Sequence, residues 1–411
     1  MFQFISNIAF FIVKPFMSAV LRKKEYPEDA IKRKYGIIEE KGFSNEDKVV
    51  MFHGVSVGEI NALETLVKKV REKYPEIKIV VTTGTHTGQD MAWKKLGETA
   101  NLITYFPADF PLVIDKFLNK INPDKVFIAE TEIWPNFAMK CKKRGIKIYI
   151  INGRISDSTF KSYKAFSFLF RYFLSFYTGI YTQSNEDNEK FLKLGANPET
   201  TERMNNLKFD IKKPEVDFEF DKNDSKVLLA GSTHKGEDEI VLFTYRKLKE
   251  KHSDLKLIIA PRHLTRVEEV RALTESFGFK YDFRSRNKCD LNDIDVLIMD
   301  TLGELGKMYA FADIAFIGGS FNKTGGHNPL EATIFEKPVI SGPSIHNFKD
   351  IYNIIVNAEA GFVVEDKDAL YEIADKLLSD SKYYNKTVNC SAKVFKEQQG
   401  ALEFVLKLLE E

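Results

Sequence analysis

Two series of short β-rich segments, separated by helical stretches, most constrain how this 411-residue chain can fold. The strand-like segments are apolar, and the stretches between them repeat apolar residues at the 3.6-residue period of a helix. Such alternation is typical of a parallel sheet with crossover helices. The first series reads VVMFHG, IKIVVTTGT, NLITYF, DKVFIAET, IKIYIING and TGIYTQS, and the second reads KVLLAGS, LKLIIAPRH, DVLIMDT, DIAFIGGS, KPVISGP and GFVVED.

The length of the chain, at roughly 200 residues per hydrophobic core, predicts two domains. We therefore expect an α/β protein of two doubly wound, Rossmann-like domains that face an interdomain cleft, where the carboxyl ends of the strands place ligands. The predicted segments are an N-terminal segment 1–36, a first domain 37–210, a polar linker 211–225, a second domain 226–390 and a C-terminal helix 391–411 that could pack back on the first domain.

The N-terminal segment begins MFQFISNIAFFIVKPFMSAVL and predicts contact with a membrane. Lys14 and Pro15 interrupt the apolar run ahead of the ~20 residues that a spanning helix needs, which favours an anchor lying in or shallowly inserted into the membrane plane. A transmembrane span and an ordinary buried helix remain the alternatives. The basic stretch RKKEYPEDAIKRKYG that follows favours the anionic cytoplasmic leaflet.

Charge and cysteine content exclude several classes of protein. The 60 lysines and arginines against 59 acidic residues give a net charge of +1, which does not predict bulk nucleic-acid binding. Cys141, Cys289 and Cys390 lie far apart without metal-ligand spacing, which fits a reducing compartment and neither a disulfide framework nor a zinc site.

Polar residues at the predicted strand ends of the first half are candidates for a site. HGVSVGEI ends a strand and starts a helix, and its Glu59 either only complements the helix dipole or performs chemistry. AETEIWPN places Glu130 and Glu132 on one face of an extended chain, where like charges raise a pKa; alternatively, one of them caps the next helix or pairs with Arg154. The further candidates for this wall of the cleft are Ser56, Gly58, Glu132, Asn152 and Arg154.

The second half contains the pattern of a nucleotide site. LLAGSTHKGEDE, with Ser232 and Thr233, resembles a phosphate-binding turn before a helix, and Arg262 and His263 at the end of LIIAPRH could reach a phosphate. In IGGSFNKTGGHNPLEA, glycines allow close approach to a ligand and a helix-start carboxylate can bind ribose hydroxyls. The candidates in this loop are Gly325, Gly326, His327, Asn328 and Glu331.

A resident metal is not expected. No D-x-D follows a strand, and the sequence has no closely spaced histidine pair. Arginine, histidine and helix dipoles would then have to neutralise the phosphate, which favours a metal-independent leaving group.

Taken together and in this order, HGVSVGE, AETEIWPN, INGRIS, GSTHKGE, APRH and GGSFNKTGGHNPLEA resemble the 3-deoxy-D-manno-octulosonic acid (Kdo) transferases of lipopolysaccharide assembly, which have the GT-B fold. The resemblance covers residues 1 to about 360. The chain departs from the family motif at Gly153, where alanine is common, and this change is expected to alter the acceptor wall slightly.

The resemblance implies transfer of Kdo from CMP-Kdo to a glucosamine hydroxyl of a lipid A precursor (lipid IVA), with inversion and without a metal or cofactor. It casts Glu59 as the general base, kept ionised by the helix N-terminus, and Glu130 as a second essential carboxylate. Arg262, His263, the loop 325–328 and Glu331 would hold CMP. It also implies a location on the cytoplasmic face of the inner membrane, anchored by the N-terminal segment; no nucleic-acid partner is expected.

Three functions remain open from the residues alone. They are the Kdo transferase, another GT-B enzyme using a UDP-sugar (a lipid glycosyltransferase or a sugar-nucleotide 2-epimerase), and a non-catalytic, membrane-tethered nucleotide-binding protein. The aromatic and basic stretch STFKSYKAFSFLFRYFLSFY, residues 158–177, predicts a second membrane-facing surface, with a buried connecting helix as the alternative.

Overall fold

A computed structural model of the chain describes residues 2–40, 42–286 and 290–411, with side chains from residue 13 onward within these ranges. Two compact units make up the chain: Met1–Ile211 with Gln398–Glu411, called here the first domain, and Lys212–Glu397, called the second domain. Cys289 and the side chains of the apolar run ahead of residue 13 lie outside the described residues.

The first domain contains a parallel sheet whose strands are ordered β3-β2-β1-β4-β5-β6-β7. The strands are β1 Val49–Gly54, β2 Lys78–Thr83, β3 Leu102–Tyr105, β4 Lys125–Ala129, β5 Lys147–Gly153, β6 Gly179–Thr182 and β7 Thr201–Arg203. The helices are α1 Phe2–Lys23, α2 Glu28–Lys34, α3 Val57–Lys73, α4 His86–Leu96, α5 Pro111–Ile121, α6 Pro135–Lys143, α7 Asp157–Lys164, α8 Ser167–Leu174 and α9 Asn185–Lys193.

The first sheet is buried on both faces, which is why its strands read as continuous apolar runs. Val49 and Met51 pack on one face with α5, α6 and α9, while Val50 and Phe52 pack on the other with α3 and α4. This period of two along β1 fixes its register beside Lys78–Thr83 of β2 and Lys125–Ile128 of β4.

The second domain repeats this plan with the strand order β10-β11-β9-β8-β12-β13-β14, again all parallel. Its strands are β8 Val227–Thr233, β9 Lys256–Pro261, β10 Tyr281–Phe283, β11 Val296–Ile298, β12 Ile314–Ile317, β13 Val339–Ser341 and β14 Gly361–Val363. Its helices are α10 Glu237–Lys251, α11 Val267–Ser276, α12 Leu305–Met308, α13 Leu330–Thr333, α14 Lys349–Asn357, α15 Lys367–Ser379 and α16 Ser381–Gln398.

The C-terminus differs from the single helix expected from about residue 391. Helix α16 already starts at Ser381, and a separate helix α17, Ala401–Glu410, follows it and packs against the first sheet. The break has a physical cause, because the carboxylate of Asp210 accepts the backbone N–H groups of Gly400 and Leu402, at 2.8 and 2.6 Å, and so caps α17 from outside.

The second half of α1 is part of the first domain. Met17 and Leu21 pack against Ile31, Tyr35 and Val113, and the Tyr35 hydroxyl lies 2.6 Å from Ser18 Oγ and donates to the carbonyl of Lys14 at 3.0 Å. None of the helices among the described residues combines the length and the apolar character needed to cross a bilayer.

Candidate active site

Glu59 lies at the start of α3, directly after the short connection from β1, at the carboxyl edge of the first sheet. Ser56 begins the helix, and Glu59 is in its first turn. The carboxylate folds back on this turn: Oε2 accepts the N–H of Val55, and the Ser56 hydroxyl donates to Oε1 at 3.2 Å. The arrangement is a variant of the capping box, in which a third-position glutamate satisfies an otherwise unpaired backbone donor.

The electrostatic environment of Glu59 is the reverse of the one predicted. Burial, followed by the charge of Glu130, raises the pKa of Glu59 from 4.5 to about 7, and Glu132 adds to the effect. The expectation that the helix N-terminus keeps this group ionised is therefore wrong, because desolvation and neighbouring carboxylates outweigh the dipole and the two hydrogen bonds. A carboxylate with a pKa near neutrality is well matched to take a proton from a hydroxyl.

Glu130 and Glu132 line a polar pocket of about 360 Å³ beside β4. Glu130 has a left-handed backbone (φ 62°), and its Oε1 lies 3.8 Å from Nζ of Lys208. Burial, and then the charge of Glu130, raises the pKa of Glu132. The lining residues are Glu130, Thr131, Glu132, Ile133, Arg154, Ser156, Thr159 and Tyr163.

The observed contacts show whether Glu130 or Glu132 is needed to cap the next helix. Helix α6 is capped by Asp109, whose carboxylate accepts the backbone N–H groups of Asn136 and Phe137 at 3.0 and 2.8 Å. The carboxylates of AETE are therefore not needed as caps and are left to face the pocket. The contacts of Lys208 and Asp109 were not predicted, because no local sequence motif indicates either of them.

Of the remaining first-domain candidates, some line the pocket and others support the residues around it. Arg154 lines the pocket, Ser56 contacts Glu59, and Gly58 is exposed on the first turn of α3. Asn152 was expected at the acceptor wall, but it is fully buried, and its Oδ1 accepts the N–H of Leu207 at 3.0 Å. It therefore supports the wall from behind.

Gly153 does not alter that wall either. It is buried, and a Cβ atom at this position would lie 3.2 Å from Cε2 of Phe191 and 3.2 Å from the carbonyl of Tyr181. The departure from the family motif faces the core of the domain, so the expected change at the acceptor wall is wrong.

In the second domain, a buried carboxylate organises the predicted phosphate loop. Glu237, 1% exposed, accepts the backbone N–H groups of His234, Gly319, Ser320 and Phe321 at 2.7–2.9 Å. Sequence reasoning missed this role, although Glu237 ends the motif GSTHKGE. The three successive N–H groups after β12 are therefore occupied by the protein's own anion, which leaves side chains to bind a ligand phosphate.

The turn after β8 and the end of β9 are joined by a backbone hydrogen bond. Ser232 adopts a left-handed backbone (φ 55°), Thr233 Oγ1 donates to Asp238 at 2.5 Å, and the Thr233 carbonyl accepts the N–H of Arg262 at 2.9 Å. The side chains of Arg262 and His263 are exposed. Both are thus displayed at the edge of the sheet, as a phosphate ligand requires.

Three histidines gather at this edge. Nε2 of His234 lies 2.9 Å from Nε2 of His327, with the rings stacked at 5.2 Å, and His263 meets His234 edge-on at 5.8 Å. Burial first, then His234, Arg262 and His263, lowers the pKa of His327 to about 4, so this ring is neutral near pH 7. His234 was quoted in GSTHKGE but was not predicted as a site residue.

The glycine-rich loop closes on itself beside the histidines. The N–H of Gly326 donates to the carbonyl of Gly319 at 2.8 Å, and Gly325 has a φ of +98°, a left-handed backbone that favours glycine. Asn328 Oδ1 accepts the N–H of Leu330 at 3.1 Å and so starts α13. Asn328 therefore has a structural role at the start of this helix, in addition to the nucleotide contact predicted for it.

Glu331 is exposed in the first turn of α13, as the ribose role requires. Although it is exposed, the protein atoms around it desolvate the carboxylate enough to raise its pKa, and Arg262 opposes that effect. Ser232, Thr233, Arg262, His263, His327 and Glu331 are thus linked by contacts or charge within one domain. For residues 2–40, 42–286 and 290–411, no group of three His, Cys, Asp or Glu side chains is placed to hold a metal ion.

Comparison with known proteins decides the family. Residues 29–211 match the family described as 3-deoxy-D-manno-octulosonic-acid transferase (kdotransferase). A 3-deoxy-D-manno-octulosonic acid transferase of Haemophilus influenzae is 33% identical over 369 residues, 88% of this chain and 86% of the relative. This chain belongs to the Kdo transferase family. It is therefore a glycosyltransferase enzyme.

Other similarities agree with a Kdo transferase of GT-B fold. Residues 217–394 match the family described as glycosyl transferases group 1. A bifunctional glycosyltransferase/methyltransferase of Fusobacterium nucleatum is 33% identical over 400 residues, and the match spans 95% of this Kdo transferase and 60% of that protein. A putative UDP-N-acetylglucosamine 2-epimerase of Listeria monocytogenes shares the fold at 13% identity, with a TM-score of 0.55 over 89% of this chain and 96% of that one.

Proposed function

We propose that this enzyme transfers Kdo from CMP-Kdo to a glucosamine hydroxyl of a lipid A precursor (lipid IVA), with inversion at the anomeric carbon and Glu59 as the general base. The observation that carries the proposal is the environment of Glu59: a carboxylate held by Val55 and Ser56, near Glu130 and Glu132, with a pKa raised to about 7. Such a group accepts a proton readily while remaining partly ionised at neutral pH.

The proposed step balances as a single displacement. The acceptor oxygen bonds to the anomeric carbon of Kdo, and the bond from that carbon to the phosphate oxygen of CMP breaks. The hydroxyl proton passes to the Glu59 carboxylate, and the electron pair of the broken bond leaves on the phosphate. In the transition state the donor carbon resembles an oxocarbenium ion. Proton transfer to the base and departure of the leaving group both lower the energy of this state.

The donor side of the proposal rests on second-domain side chains. Arg262 and His263 are exposed near His327, and Glu331 is exposed in the first turn of α13. Donors aimed at the phosphate stabilise the charge that grows as CMP departs, and Glu331 would accept hydrogen bonds from the ribose hydroxyls. Because cationic and neutral nitrogen donors supply this stabilisation, we propose that the reaction needs neither a metal ion nor a cofactor, and we expect activity to survive a chelator.

The acceptor side includes the pocket of Glu130, Glu132 and Arg154. Its hydroxyl-bearing and charged lining suits a sugar, and Glu130 would orient the hydroxyl that Glu59 deprotonates. A lipid acceptor remains in the bilayer, so we place the enzyme on the cytoplasmic face of the inner membrane.

Two surfaces of the first domain support that location. Helix α1 has its second half fixed to the domain through Tyr35. The surface of α7 and α8 exposes Phe166, Phe168 and Tyr172 at 57, 71 and 51%, close to lysine and arginine side chains. Exposed aromatic rings with adjacent cations suit a membrane interface.

The test is product analysis with purified enzyme, CMP-Kdo and a lipid A precursor. Mass spectrometry should detect the acceptor with added Kdo, CMP should compete with the donor, and UDP should not. Glu59→Gln should lower kcat by ~10² to 10⁴-fold, the usual contribution of a positioned base. Glu72→Gln is the matched control, because Glu72 lies on the same helix with 68% of its side chain exposed.

The outcomes separate the competing functions. Competition by UDP but not by CMP would point to a UDP-sugar enzyme and refute the donor assignment. If Glu59→Gln turns over CMP-Kdo within a few-fold of the unmodified enzyme, Glu59 is not the base. If neither nucleotide binds and no product forms, the chain has no transferase chemistry on these substrates.

A further inference from the structure

Lys34, the last residue of α2, is a partly buried cation without a carboxylate partner. Its Nζ donates to the carbonyl of Gly84 at 2.7 Å and lies 5.2 Å from the centre of the Tyr105 ring. Within the described residues, no ion pair joins Lys34 to an acid. Burial lowers the pKa of Lys34 to about 8, which leaves the side chain mostly charged at pH 7.

The two preceding cations of this helix are neutralised, in contrast to Lys34. Lys32 contacts Glu39 at 2.9 Å, and Arg33 contacts Asp29 at 2.6 Å and a second acidic side chain. A charge that is withdrawn from water is costly unless an opposite charge accompanies it. The ammonium group of Lys34 uses one of its three donors on a carbonyl, so it retains donors for an anion that a ligand brings.

Lys34 lies next to the turn that holds Glu59. The turn follows β1, and Gly84 follows β2, the adjacent parallel strand at about 4.8 Å. The N–H of Gly84 donates to the carbonyl of Val55 at 3.1 Å, and the N–H of Val55 in turn donates to the Glu59 carboxylate. Two backbone residues therefore separate the ammonium group of Lys34 from the proposed base.

The turn after β2 also begins helix α4. Thr85 is the N-cap, and its hydroxyl accepts the N–H of Gly88 at 3.1 Å. The N–H groups of His86 and Thr87, the first two residues of the helix, have no acceptor in the described part of the chain. Unpaired N–H groups at a helix N-terminus favour an anion, and here they add to the charge of Lys34.

We propose that Lys34, with the start of α4, binds a phosphate group of the lipid acceptor and thereby positions the acceptor sugar for Glu59. The inference rests on the proposed function, in which the acceptor is a phosphorylated glucosamine lipid. An ammonium group is a suitable point-charge donor for phosphate. The phospholipid headgroups of the membrane carry the same chemistry, so the experiment has to separate these two sources of phosphate.

The test compares the phosphorylated acceptor with the same lipid after phosphatase treatment, both in detergent. Affinity is read from KM for the first and from the inhibition constant for the second, so the treated lipid need not react. Lys34→Gln keeps an N–H for the Gly84 carbonyl but removes the charge. A hydrogen bond to a charged group corresponds to about tenfold or more in affinity, so this variant should raise KM by about that factor, with kcat and the inhibition constant within about threefold.

Two further variants serve as controls. Lys32→Gln should leave KM unchanged, because Lys32 lies on the same helix with 53% of its side chain exposed and is paired with Glu39. Lys34→Arg restores a positive charge and should bind the phosphorylated acceptor more tightly than Lys34→Gln does.

Three results would overturn the proposal. If Lys34→Gln leaves KM for the phosphorylated acceptor unchanged, Lys34 does not bind its phosphate. If the variant weakens binding of both lipids equally, Lys34 only supports the turn at Gly84. If KM is unchanged but sedimentation with phospholipid vesicles falls, the phosphate belongs to a membrane headgroup.

Failure of the proposed function would be seen separately. If no Kdo reaches any acceptor, the proposed reaction is wrong, and calorimetry of the two lipids in detergent still measures the contribution of Lys34. If Kdo is transferred but the unmodified protein and Lys34→Gln bind both lipids alike, the proposed function stands and the phosphate site is refuted.

Discussion

Replacing Glu59 by glutamine should stabilise the first domain while it inactivates the enzyme, and the gain should depend on pH. The raised pKa means that the folded domain holds a proton that the unfolded chain releases between pH 4.5 and about 7. Stability is therefore lost as the pH rises through this interval, because folding must desolvate a carboxylate that is ionised in the unfolded chain. Glutamine has no such penalty.

The size of the gain in stability follows from the difference between the folded and unfolded pKa of Glu59. At ~1.4 kcal/mol for each unit of pKa, the ionised carboxylate costs of order 3 kcal/mol above pH 7 and almost nothing below pH 4.5. A domain of roughly 200 residues gains about 2–4 °C in Tm per kcal/mol. Glu59→Gln should thus melt at the same temperature as the unmodified protein near pH 4.5 and about 6–12 °C higher near pH 8.

Tryptophan fluorescence isolates the relevant transition. The chain has two tryptophans, Trp93 and Trp134, and both lie in the first domain, so their emission reports its unfolding even if the two domains melt separately. Glu72→Gln should follow the unmodified protein at every pH, since Glu72 is mostly exposed. A constant difference between Glu59→Gln and the unmodified protein across pH 5 to 8, or no difference, would refute the idea that a desolvated charge sits at this turn.

Three further predictions address the rest of the molecule. Glu237→Ala leaves four backbone donors unsatisfied and should destabilise the second domain by ~3 kcal/mol or more, visible by calorimetry but not by tryptophan emission. Gly318→Ala places a Cβ 2.4 Å from the Ser232 carbonyl and should weaken CMP binding about tenfold or more through displacement of that turn, measured by calorimetry. Phe168→Ser should reduce sedimentation with anionic vesicles without changing kcat on detergent-dispersed acceptor, and equal sedimentation would refute a contribution of Phe168 to membrane binding.

The sheets were predictable because their burial leaves a direct trace in the sequence. Runs such as Val49–Gly54 are buried at every position and mostly apolar, since both faces are covered, and the alternation with helical periods then predicts parallel pairing. The two edge strands Thr201–Arg203 and Tyr281–Phe283 were missed. Each has three residues, and partly exposed positions interrupt any apolar run, so only the hydrogen-bonding edge of a neighbouring strand defines them.

The positions of the candidate residues at strand ends were predictable, and their energetics were less so. Glycine and charge patterns indicated that Glu59, Arg262 and the loop that ends at Glu331 follow strands, but the pKa of Glu59 was predicted in the wrong direction. A helix dipole is a local property that sequence reveals, and it contributes ~0.3 to 1 kcal/mol. Desolvation and the approach of Glu130 depend on which strands are neighbours, and together they contribute several times more.

The two domains share an electrostatic strategy with opposite signs. The first buries Glu59 and brings Glu130 and Glu132 close to it, so that Glu59 holds a proton more tightly than a free carboxylate does. The second buries His234 and His327 and places them near Arg262, and both effects lower the pKa of these rings. In the proposed reaction, substrate would relieve both arrangements: the hydroxyl proton would neutralise the ionised carboxylate of Glu59, and the phosphate would offset the positive charge around His327. Binding energy released in this way is largest when charge moves in the transition state, which is where a transferase needs it.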